Sequence, residues 1–210
     1  MRTYAFIDAS NLFYGGEKSL GWRIDYQKLR QYLEDKYQVS KVYYFGGVEV
    51  HRFPFDYLNQ ETVPIKEVEK YLVQYIEKKK QYLTEAKLVL LDRHLKRICF
   101  YLKLEKFGYD LILKPVKSYE DIEGNIERKA NCDVDMAVHM IRDLEAFDRV
   151  VFLSGDGDFL PALKLLKENK KEVMVLARAP RTALEIKKFA GDKFRDFEYL
   201  RELLKYEEKR

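Results

Sequence analysis

Residues 150–159 read VVFLSGDGDF, an apolar run that ends in alternating glycine and aspartate. The run predicts a buried strand, and the Gly/Asp segment predicts a tight turn into a helix that begins near Asp158. The order of a short apolar strand followed by a helical pattern recurs along the chain. The predicted strands are Thr3–Ile7, Lys41–Phe45, Asp110–Lys114, Val150–Leu153 and Val173–Leu176. The predicted helices are Asp25–Tyr37, Lys66–Leu83, His94–Phe107, Asp133–Leu144, Asp158–Asn169, Thr182–Ala190 and Glu198–Tyr206. This alternation predicts an α/β fold with a Rossmann-like, mainly parallel sheet flanked by helices, whereas Lys87–Leu91 fits strand or helix.

Length and composition limit the number of domains and exclude several classes of protein. The 210 residues are 47% hydrophobic and 35% charged, which suits a buried core under a charged surface and excludes a disordered chain. We expect residues 1–210 to form a single domain with a helical insertion or cap at about residues 50–91. No apolar run reaches the roughly 20 residues of a membrane span, and the N-terminal sequence does not resemble a signal peptide. The two cysteines, Cys99 and Cys132, lack a metal-binding spacing and favour a reducing, cytoplasmic location.

Aspartates follow the predicted strands at the points where ligands gather in a parallel sheet. Asp8 follows the first strand, and Asp156 and Asp158 follow the fourth. Asp133 and Asp135 begin a helix in the sequence NCDVDMAVHM. Because ligands of open α/β sheets lie outside the carboxyl ends of the strands, we expect these carboxylates to converge. Their mutual repulsion requires a counter-charge, and oxygen ligands of this kind suit Mg²⁺ or Mn²⁺.

Helical spacing favours Asp133 over Asp135 as the residue that faces the metal. Asp133 lies above an apolar stripe of Ala137, Met140 and Leu144, whereas Asp135 lies above a more polar stripe of His139 and Arg142. We therefore expect Asp135 to be a supporting or surface residue, and His139 a hydrogen-bonded residue at the surface or behind the metal ligands.

Each of these polar residues also has a purely structural interpretation. Asp133 could cap its helix, and Asp158 could cap the helix that follows it. The segment Ser154–Asp158 could serve only as a tight turn. Asn11 could orient a metal-bound water or a phosphate oxygen, or it could only hydrogen-bond within the turn after the first strand. The residues alone leave these alternatives open.

Three segments together resemble the LabA-like branch of the NYN domains, within the PIN-like nuclease superfamily. They are FIDASN at 6–11, KANCDVDMAVHM at 129–140 and VVFLSGDGDF at 150–159, in the order and at the spacing of that family. The resemblance implies a PIN-like fold and a metal-dependent nuclease that acts mostly on RNA. It places metal-binding, catalytic acids on Asp8, Asp133 and Asp156, with Asp158 as a fourth. It places supporting polar residues on Asn11 and Ser154. Many relatives have glycine where this chain has Ala130.

Basic residues near these acids are the expected contacts for RNA phosphates. They are Arg128 and Lys129, just before Asp133, and Arg178 and Arg181, after the fifth strand. The middle of the chain is also basic, with tyrosine and phenylalanine interleaved. The basic residues there are Lys78–Lys80, Arg93, His94, Lys96, Arg97, Lys103 and Lys106. For that stretch we favour the interpretation of solvated helix faces and half-buried packing.

The sequence therefore predicts a cytoplasmic ribonuclease that uses Mg²⁺ or Mn²⁺ to hydrolyse phosphodiester bonds of single-stranded RNA, with no membrane association. The alternative is an RNA-binding or regulatory module with little or no turnover. A metal-dependent phosphatase is disfavoured, because Asp8-Ala9-Ser10 lacks the second aspartate of such enzymes. The prediction leaves open whether the chain acts as a monomer or as a homodimer.

Overall fold

Two sets of strands make up the β structure of the protein. The structure, a computed structural model, describes the backbone of residues 1–13, 18–120 and 126–207, and the side chains of these ranges except 18, 118–120 and 126–129. The larger set comprises β1 Thr3–Asp8, β2 Val39–Val48, β3 Asp110–Pro115, β6 Arg149–Leu153, β7 Glu172–Ala177 and β8 Phe194–Asp196. The smaller set is an antiparallel pair, β4 Lys117–Glu120 and β5 Ile126–Lys129. The larger set forms one sheet in the order β3-β2-β1-β6-β7-β8, with every neighbouring pair parallel.

Helices connect the strands and cover both faces of the sheet. They are α1 Ala9–Asn11, α2 Lys18–Leu20, α3 Tyr26–Tyr37, α4 Ile65–Lys79, α5 Glu85–Lys106, α6 Asp133–Arg142, α7 Leu160–Glu168, α8 Leu184–Ala190 and α9 Arg201–Leu204. Local sequence sets several helix ends. The Asp25 carboxylate accepts hydrogen bonds from the backbone N–H groups of Gln27 and Lys28 and so caps α3, and Thr84 caps α5 in the same way.

The hydrophobic core consists of two layers, one on each face of the sheet. Alternate residues of β1 enter different layers, because successive side chains of a strand point to opposite faces: Ala5 and Ile7 belong to one layer and Phe6 to the other. The first layer packs under α3, α4 and α5. The second layer packs under α6, α7 and α8. The α/β fold with a parallel sheet, predicted from the alternation of strands and helices, is confirmed.

Three of the strands are not predicted by the sequence pattern. β8 has only three residues, of which Asp196 alone is buried, so it carries no apolar run. β4 and β5 are each four residues long and pair only with one another. Lys87–Leu91, which fitted strand or helix, lies within α5.

The connection from β2 to β3 contains the two longest helices, α4 and α5. The predicted boundary of the insertion, at about residue 91, falls inside α5. The second half of α5 packs on the sheet through Ile98, Tyr101 and Leu104, which are fully buried. The helical character predicted for this region is present, and the single-domain organisation stays a prediction.

None of the helices in the described part of the chain is long and apolar enough to cross a membrane.

The order of the strands defines one position where a ligand has room to bind. From β1 the chain continues to β2 and β3 on one side, whereas β6, β7 and β8 lie on the other side. In parallel sheets of this kind a crevice opens outside the carboxyl ends of the strands where the order reverses. Here that position lies between the ends of β1 and β6, which pair through Ile7 and Leu153.

Candidate active site

Asp8 is the last residue of β1 and lies at this crevice with its carboxylate held by four donors. Its Oδ1 accepts hydrogen bonds from the Ser10 N–H at 2.9 Å, the Ser10 hydroxyl at 2.8 Å and the Asn11 N–H at 3.1 Å. Its Oδ2 accepts one from the Ser154 hydroxyl at 3.0 Å. Asp8 is only 7% exposed. These four hydrogen bonds fix the orientation of the Asp8 carboxylate.

The loop after β6 is tied to the turn after β1 by side chains that the sequence had singled out. The Asn11 amide oxygen accepts a hydrogen bond from the Gly155 N–H at 2.9 Å. The Ser154 hydroxyl, which donates to Asp8, accepts one from the Asp156 N–H at 3.2 Å. Asn11 and Ser154 therefore join the two loops, and a structural role of Asn11 is shown.

Asp156 and Asp158 occupy different positions in the turn after β6. Asp156 Oδ1 accepts a hydrogen bond from the Asp158 N–H at 3.0 Å, so Asp156 caps the short 3-10 turn Gly157–Phe159. Asp156 is partly exposed and Asp158 is exposed. Asp156 also lines a shallow cleft of about 480 Å³ together with Asn11 and Arg181. Asp156 therefore caps the turn and also faces a cleft.

Asp133 reaches the crevice from the start of α6. Cys132, rather than Asp133, occupies the N-cap position of the helix, so the interpretation of Asp133 as the N-cap is wrong. Asp8 and Asp133 line one cavity of about 310 Å³. We call it the acid cavity; its other lining residues include Ser10, Phe13, Gly46, Gly47, Arg97 and Cys132. Residues more than a hundred positions apart thus place two carboxylates in the same space.

The pKa of the Cys132 thiol reflects the burial and the negative charge of this cavity. Burial, followed by the negative charges of Asp135, Asp133 and Asp8, raises the pKa of the Cys132 thiol to about 12. A thiol under these conditions stays protonated and is a poor nucleophile or metal ligand. Cys132 therefore acts as a buried apolar group beside the acids.

Asp135 lies on the other flank of α6 and forms an ion pair. Its Oδ1 is 2.8 Å from the Lys114 ammonium nitrogen, and both side chains are mostly buried. The helix buries Met136, His139 and Met140 between the flanks that carry Asp133 and Asp135. The supporting role of Asp135 stays a prediction.

The expectation that the stripe of His139 is the polar face of α6 is wrong. His139 is 1% exposed and packs edge-on against the rings of Tyr43 and Phe45. Its Nδ1 lies 2.7 Å from the carbonyl oxygen of Asp135, to which it donates. A histidine between two aromatic rings is shielded from water, so the imidazole belongs to the core.

The acid cavity fits a hard cation that keeps much of its water. Mg²⁺ is commonly held by one or two carboxylates, and water and substrate phosphates complete its coordination. Asp8 and Asp133 supply such a pair of oxygen donors. Over the described ranges, no group of three or more His, Cys, Asp or Glu side chains is arranged to hold a metal ion. The structure thus brings Asp8 and Asp133 together, whereas Asp156 faces the neighbouring cleft and Asp158 faces solvent.

The four predicted RNA contacts fall in different settings. The Arg178 guanidinium is bound by the carboxylates of Asp196, at 2.9 Å, and Glu198, so its charge is already compensated. Arg181 is exposed and lines the cleft of Asp156. Arg128 and Lys129 belong to β5, but their side chains lie outside the described part of the structure.

Arg97 is the cation that lines the acid cavity. From the sequence, its stretch of the chain was expected to be a solvated helix face. Its Nε donates to the Tyr101 hydroxyl at 3.1 Å, and that hydroxyl donates to the Gly47 carbonyl oxygen at 2.6 Å. These bonds connect α5 to the end of β2 and hold a cation beside two carboxylates. The available signal was the spacing of Arg97 and Tyr101, one helical turn apart.

Comparison with known proteins identifies the family. Residues 70–200 match the model of the NYN domain family. The chain is 24% identical to the Low amplitude and bright protein LabA of Synechococcus elongatus, over 99% of this chain and 90% of that protein.

Solved structures resemble the fold. The crystal structure of VPA0982 of Vibrio parahaemolyticus, a protein of unknown function, aligns with a TM-score of 0.58 and 17% identity over 93% of this chain and 90% of that chain. The T5 D15 protein, crystallised with metal ions, aligns with a TM-score of 0.45 and 17% identity over 89% of this chain and 59% of that chain. The first likeness supports the fold alone, and the second is too weak to support a conclusion about this chain.

Proposed function

Since this chain belongs to the NYN domain family, within the PIN-like nuclease superfamily, we propose that it is a Mg²⁺- or Mn²⁺-dependent ribonuclease that hydrolyses single-stranded RNA. The observation that carries the proposal is the acid cavity at the carboxyl end of the sheet, where Asp8 and Asp133 face the same space. The match to the NYN family, which covers most of the chain, supports the same conclusion. The setting we propose is the cytoplasm.

The residues of the cavity have separate roles in this proposal. Asp8 and Asp133 hold the cation. The hydroxyl groups of Ser10 and Ser154 donate hydrogen bonds to the Asp8 carboxylate and so hold it in place. The bound cation would lower the pKa of a coordinated water and stabilise negative charge on the leaving oxygen. Asp156, linked to Asp8 through Ser154, faces the adjacent cleft, where we propose that it would orient the attacking water or the substrate.

Two cations lie beside these acids and suit the phosphates of the substrate. Arg97 lines the acid cavity, and Arg181 lines the cleft of Asp156. Carboxylates repel a phosphodiester, so nearby guanidinium groups are needed to hold it. We propose that Arg97 and Arg181 hold the phosphates on either side of the scissile bond.

The test is cleavage of a labelled single-stranded RNA by the purified protein with Mn²⁺, with Mg²⁺ and with EDTA. We expect cleavage with either metal, none with EDTA, and none for Asp133→Asn. The matched control is Asp110→Asn, an exposed aspartate at the amino end of β3, which should retain full activity. RNA binding without metal-dependent cleavage would instead identify a binding or regulatory module.

A second measurement does not depend on turnover. A ligand that binds only the folded state raises stability, so the melting midpoint should rise by roughly 5–10 °C at a Mn²⁺ concentration about 100 times Kd. Asp133→Asn should lose most of this increase, and Asp110→Asn should keep it. An unchanged midpoint for the wild-type protein would count against the cation site.

A further inference from the structure

A large cleft runs alongside α5 and meets the acid cavity. It has a volume of about 930 Å³ and lies between α5 on one side and residues 23–27 with Tyr206 on the other. We call it the α5 cleft. Phe13 and Arg97 line both the α5 cleft and the acid cavity, so the two spaces adjoin at these side chains.

The α5 wall of the cleft carries both cations and aromatic rings. These residues recur at intervals of three or four, which places them on one stripe of the helix. They are Arg93, Lys96, Arg97, Phe100, Lys103 and Phe107. From Arg93 to Lys103 the stripe extends roughly 15 Å along the helix. That length corresponds to about four nucleotides at the 3.4 Å rise per nucleotide of a stacked strand.

Positive charge outweighs negative charge in the cleft. Its acidic residues are Asp25 and Glu207. Asp25 is engaged as the cap of α3, and Glu207 pairs with Lys28 at 3.6 Å. On the opposite wall Arg23 adds a guanidinium that lies 4.9 Å from the centre of the Tyr206 ring. Lys96 pairs with Asp92 at 2.7 Å. The other four cations of the cleft have no acidic partner among the described residues. The four are Arg23, Arg93, Arg97 and Lys103.

Cations beside accessible rings suit one class of polymer. Lysine and arginine contact phosphates whatever the base sequence, and aromatic rings stack on unpaired bases. Tyr206 is 42% exposed, and Phe100 and Phe13 are partly exposed. A duplex presents no unpaired base faces to such rings. The lining therefore favours a single strand over a duplex and over an acidic peptide.

On the basis of the proposed function, we infer that the α5 cleft binds single-stranded RNA and leads it into the acid cavity. Arg93, Arg97 and Lys103 contact phosphates spaced along the strand, and Tyr206 stacks on a base. Arg97, at the junction, holds the phosphate that is about to enter the cavity. This assignment replaces the solvated face that the sequence predicted for α5.

The test measures the binding of a fluorescein-labelled 12-nucleotide single-stranded RNA by anisotropy across a salt series, in Ca²⁺ to limit cleavage. The variant is Arg93→Ala/Lys103→Ala, because neither side chain lines the acid cavity. Each lost phosphate contact should flatten the slope of log affinity against log salt by about 0.7. The double variant should therefore lose about 1.4 from the slope.

The matched control removes the same charge elsewhere. Lys78→Ala/Lys80→Ala changes two exposed lysines at the end of α4 and should leave the slope unchanged. Tyr206→Ala should weaken binding at least roughly fivefold without changing the slope, because stacking does not depend on salt in this way. Equal slopes for the cleft variant and the wild-type protein would overturn the inference. So would an equal loss in the lysine control.

Three competitors identify the ligand. Unlabelled single-stranded RNA should displace the probe more effectively than duplex RNA or polyglutamate of equal charge. If polyglutamate competes equally well and loses the same affinity in the cleft variant, the cleft recognises acidic peptides and the inference fails.

The failures of the two proposals are distinguishable. If Mn²⁺-dependent cleavage occurs but the cleft variant binds RNA normally, the nuclease assignment stands and the cleft assignment fails. If the slope of log affinity against log salt becomes flatter in the cleft variant but no metal supports cleavage, the cleft assignment stands and the nuclease assignment fails. Circular-dichroism melts of both double variants verify that they fold as the wild-type protein does.

Discussion

The Ser154 hydroxyl donates a hydrogen bond of 3.0 Å to Asp8 Oδ2, although the two residues are 146 positions apart in the chain. Both are buried, at 1% and 7% exposure. The same hydroxyl accepts a hydrogen bond from the backbone N–H of Asp156. One side chain thus connects the acid after β1 to the acid-containing loop after β6, across the point where the strand order reverses.

Replacing Ser154 with alanine should therefore destabilise the fold and weaken the site. A buried carboxylate loses a donor and the Asp156 N–H loses its acceptor, so we expect the free energy of unfolding to fall by about 2 kcal/mol. Urea denaturation measures the loss.

The matched control is Ser40→Ala. The Ser40 hydroxyl donates to the uncharged carbonyl oxygen of Thr3 at 3.2 Å, near the other end of β1. This change should cost less than about 1 kcal/mol. Equal losses for the two variants would show that the charge of Asp8 adds nothing to the Ser154 contact.

The two acids of α6 should differ in their effect on catalysis. Asp133 lines the acid cavity, whereas Asp135 is paired with Lys114. Asp133→Asn should lower kcat for RNA cleavage at least ~100-fold, and Asp135→Asn less than ~10-fold. Single-turnover cleavage in Mn²⁺ measures both.

Asp135→Asn should instead affect stability. Lys114 would lose its counter-charge in a mostly buried position, which we expect to cost about 1 kcal/mol. Comparable losses of kcat in the two variants would contradict the assignment of separate roles.

Gly47 is the position near the acid cavity where a side chain has least room. A Cβ added there would lie 2.6 Å from the Cβ of Ala130 and 3.1 Å from Cγ2 of Val116. Gly47→Ala should therefore lower the free energy of unfolding by about 1–3 kcal/mol, since this strand cannot move without disturbing its neighbours. Thermal or urea denaturation measures the effect.

The clash offers a built-in control. Ala130→Gly removes the nearer of the two atoms, so the double variant Gly47→Ala/Ala130→Gly should recover most of the loss. If the double variant is as unstable as the sum of the single changes, Ala130 is not the atom that excludes a side chain at position 47.

A histidine pair outside the site should make stability depend on pH. His51 Nε2 and His94 Nδ1 are 2.6 Å apart and share a hydrogen bond. Burial, followed by repulsion from His94 and Lys87, lowers the pKa of His51 from 6.5 to about 4. The unfolded chain gains a proton near pH 6.5 that the folded chain accepts only near pH 4. The stabilisation is thus complete above pH 6.5 and is lost as the pH falls toward 4.

The expected contribution of His51 is about 1 kcal/mol between pH 7.5 and pH 5.0, less than the full shift implies because the imidazole is partly exposed. His51→Asn should remove it, and asparagine tolerates the positive φ of 52° at this position. Urea denaturation of both proteins at the two pH values measures the difference. If the free energy of unfolding changes with pH equally in the two proteins, His51 is not the source of the pH dependence.

Local signals in the sequence determined much of this protein. Apolar runs marked β1, β2, β3, β6 and β7, because a strand buried between two layers of helices is apolar along its length. The position of Asp8 and Asp156 directly after strands placed them at one edge of the sheet, and the resemblance to NYN domains is confirmed by the family match. These features depend on residues adjacent in the chain.

Tertiary structure alone decided which side chains meet. The sequence does not predict β8, because three residues are too few to show a periodicity. Arg178 is neutralised by a carboxylate of β8 and by one of the turn beyond it. His139 occupies a buried place that its polar neighbours on the helix concealed. Arg97 lines the same cavity as Asp8 and Asp133 only because α5 crosses the end of β2, where the Tyr101 hydroxyl binds the Gly47 carbonyl. Such contacts join distant segments, and their positions follow from the packing of whole elements, which sequence spacing does not encode.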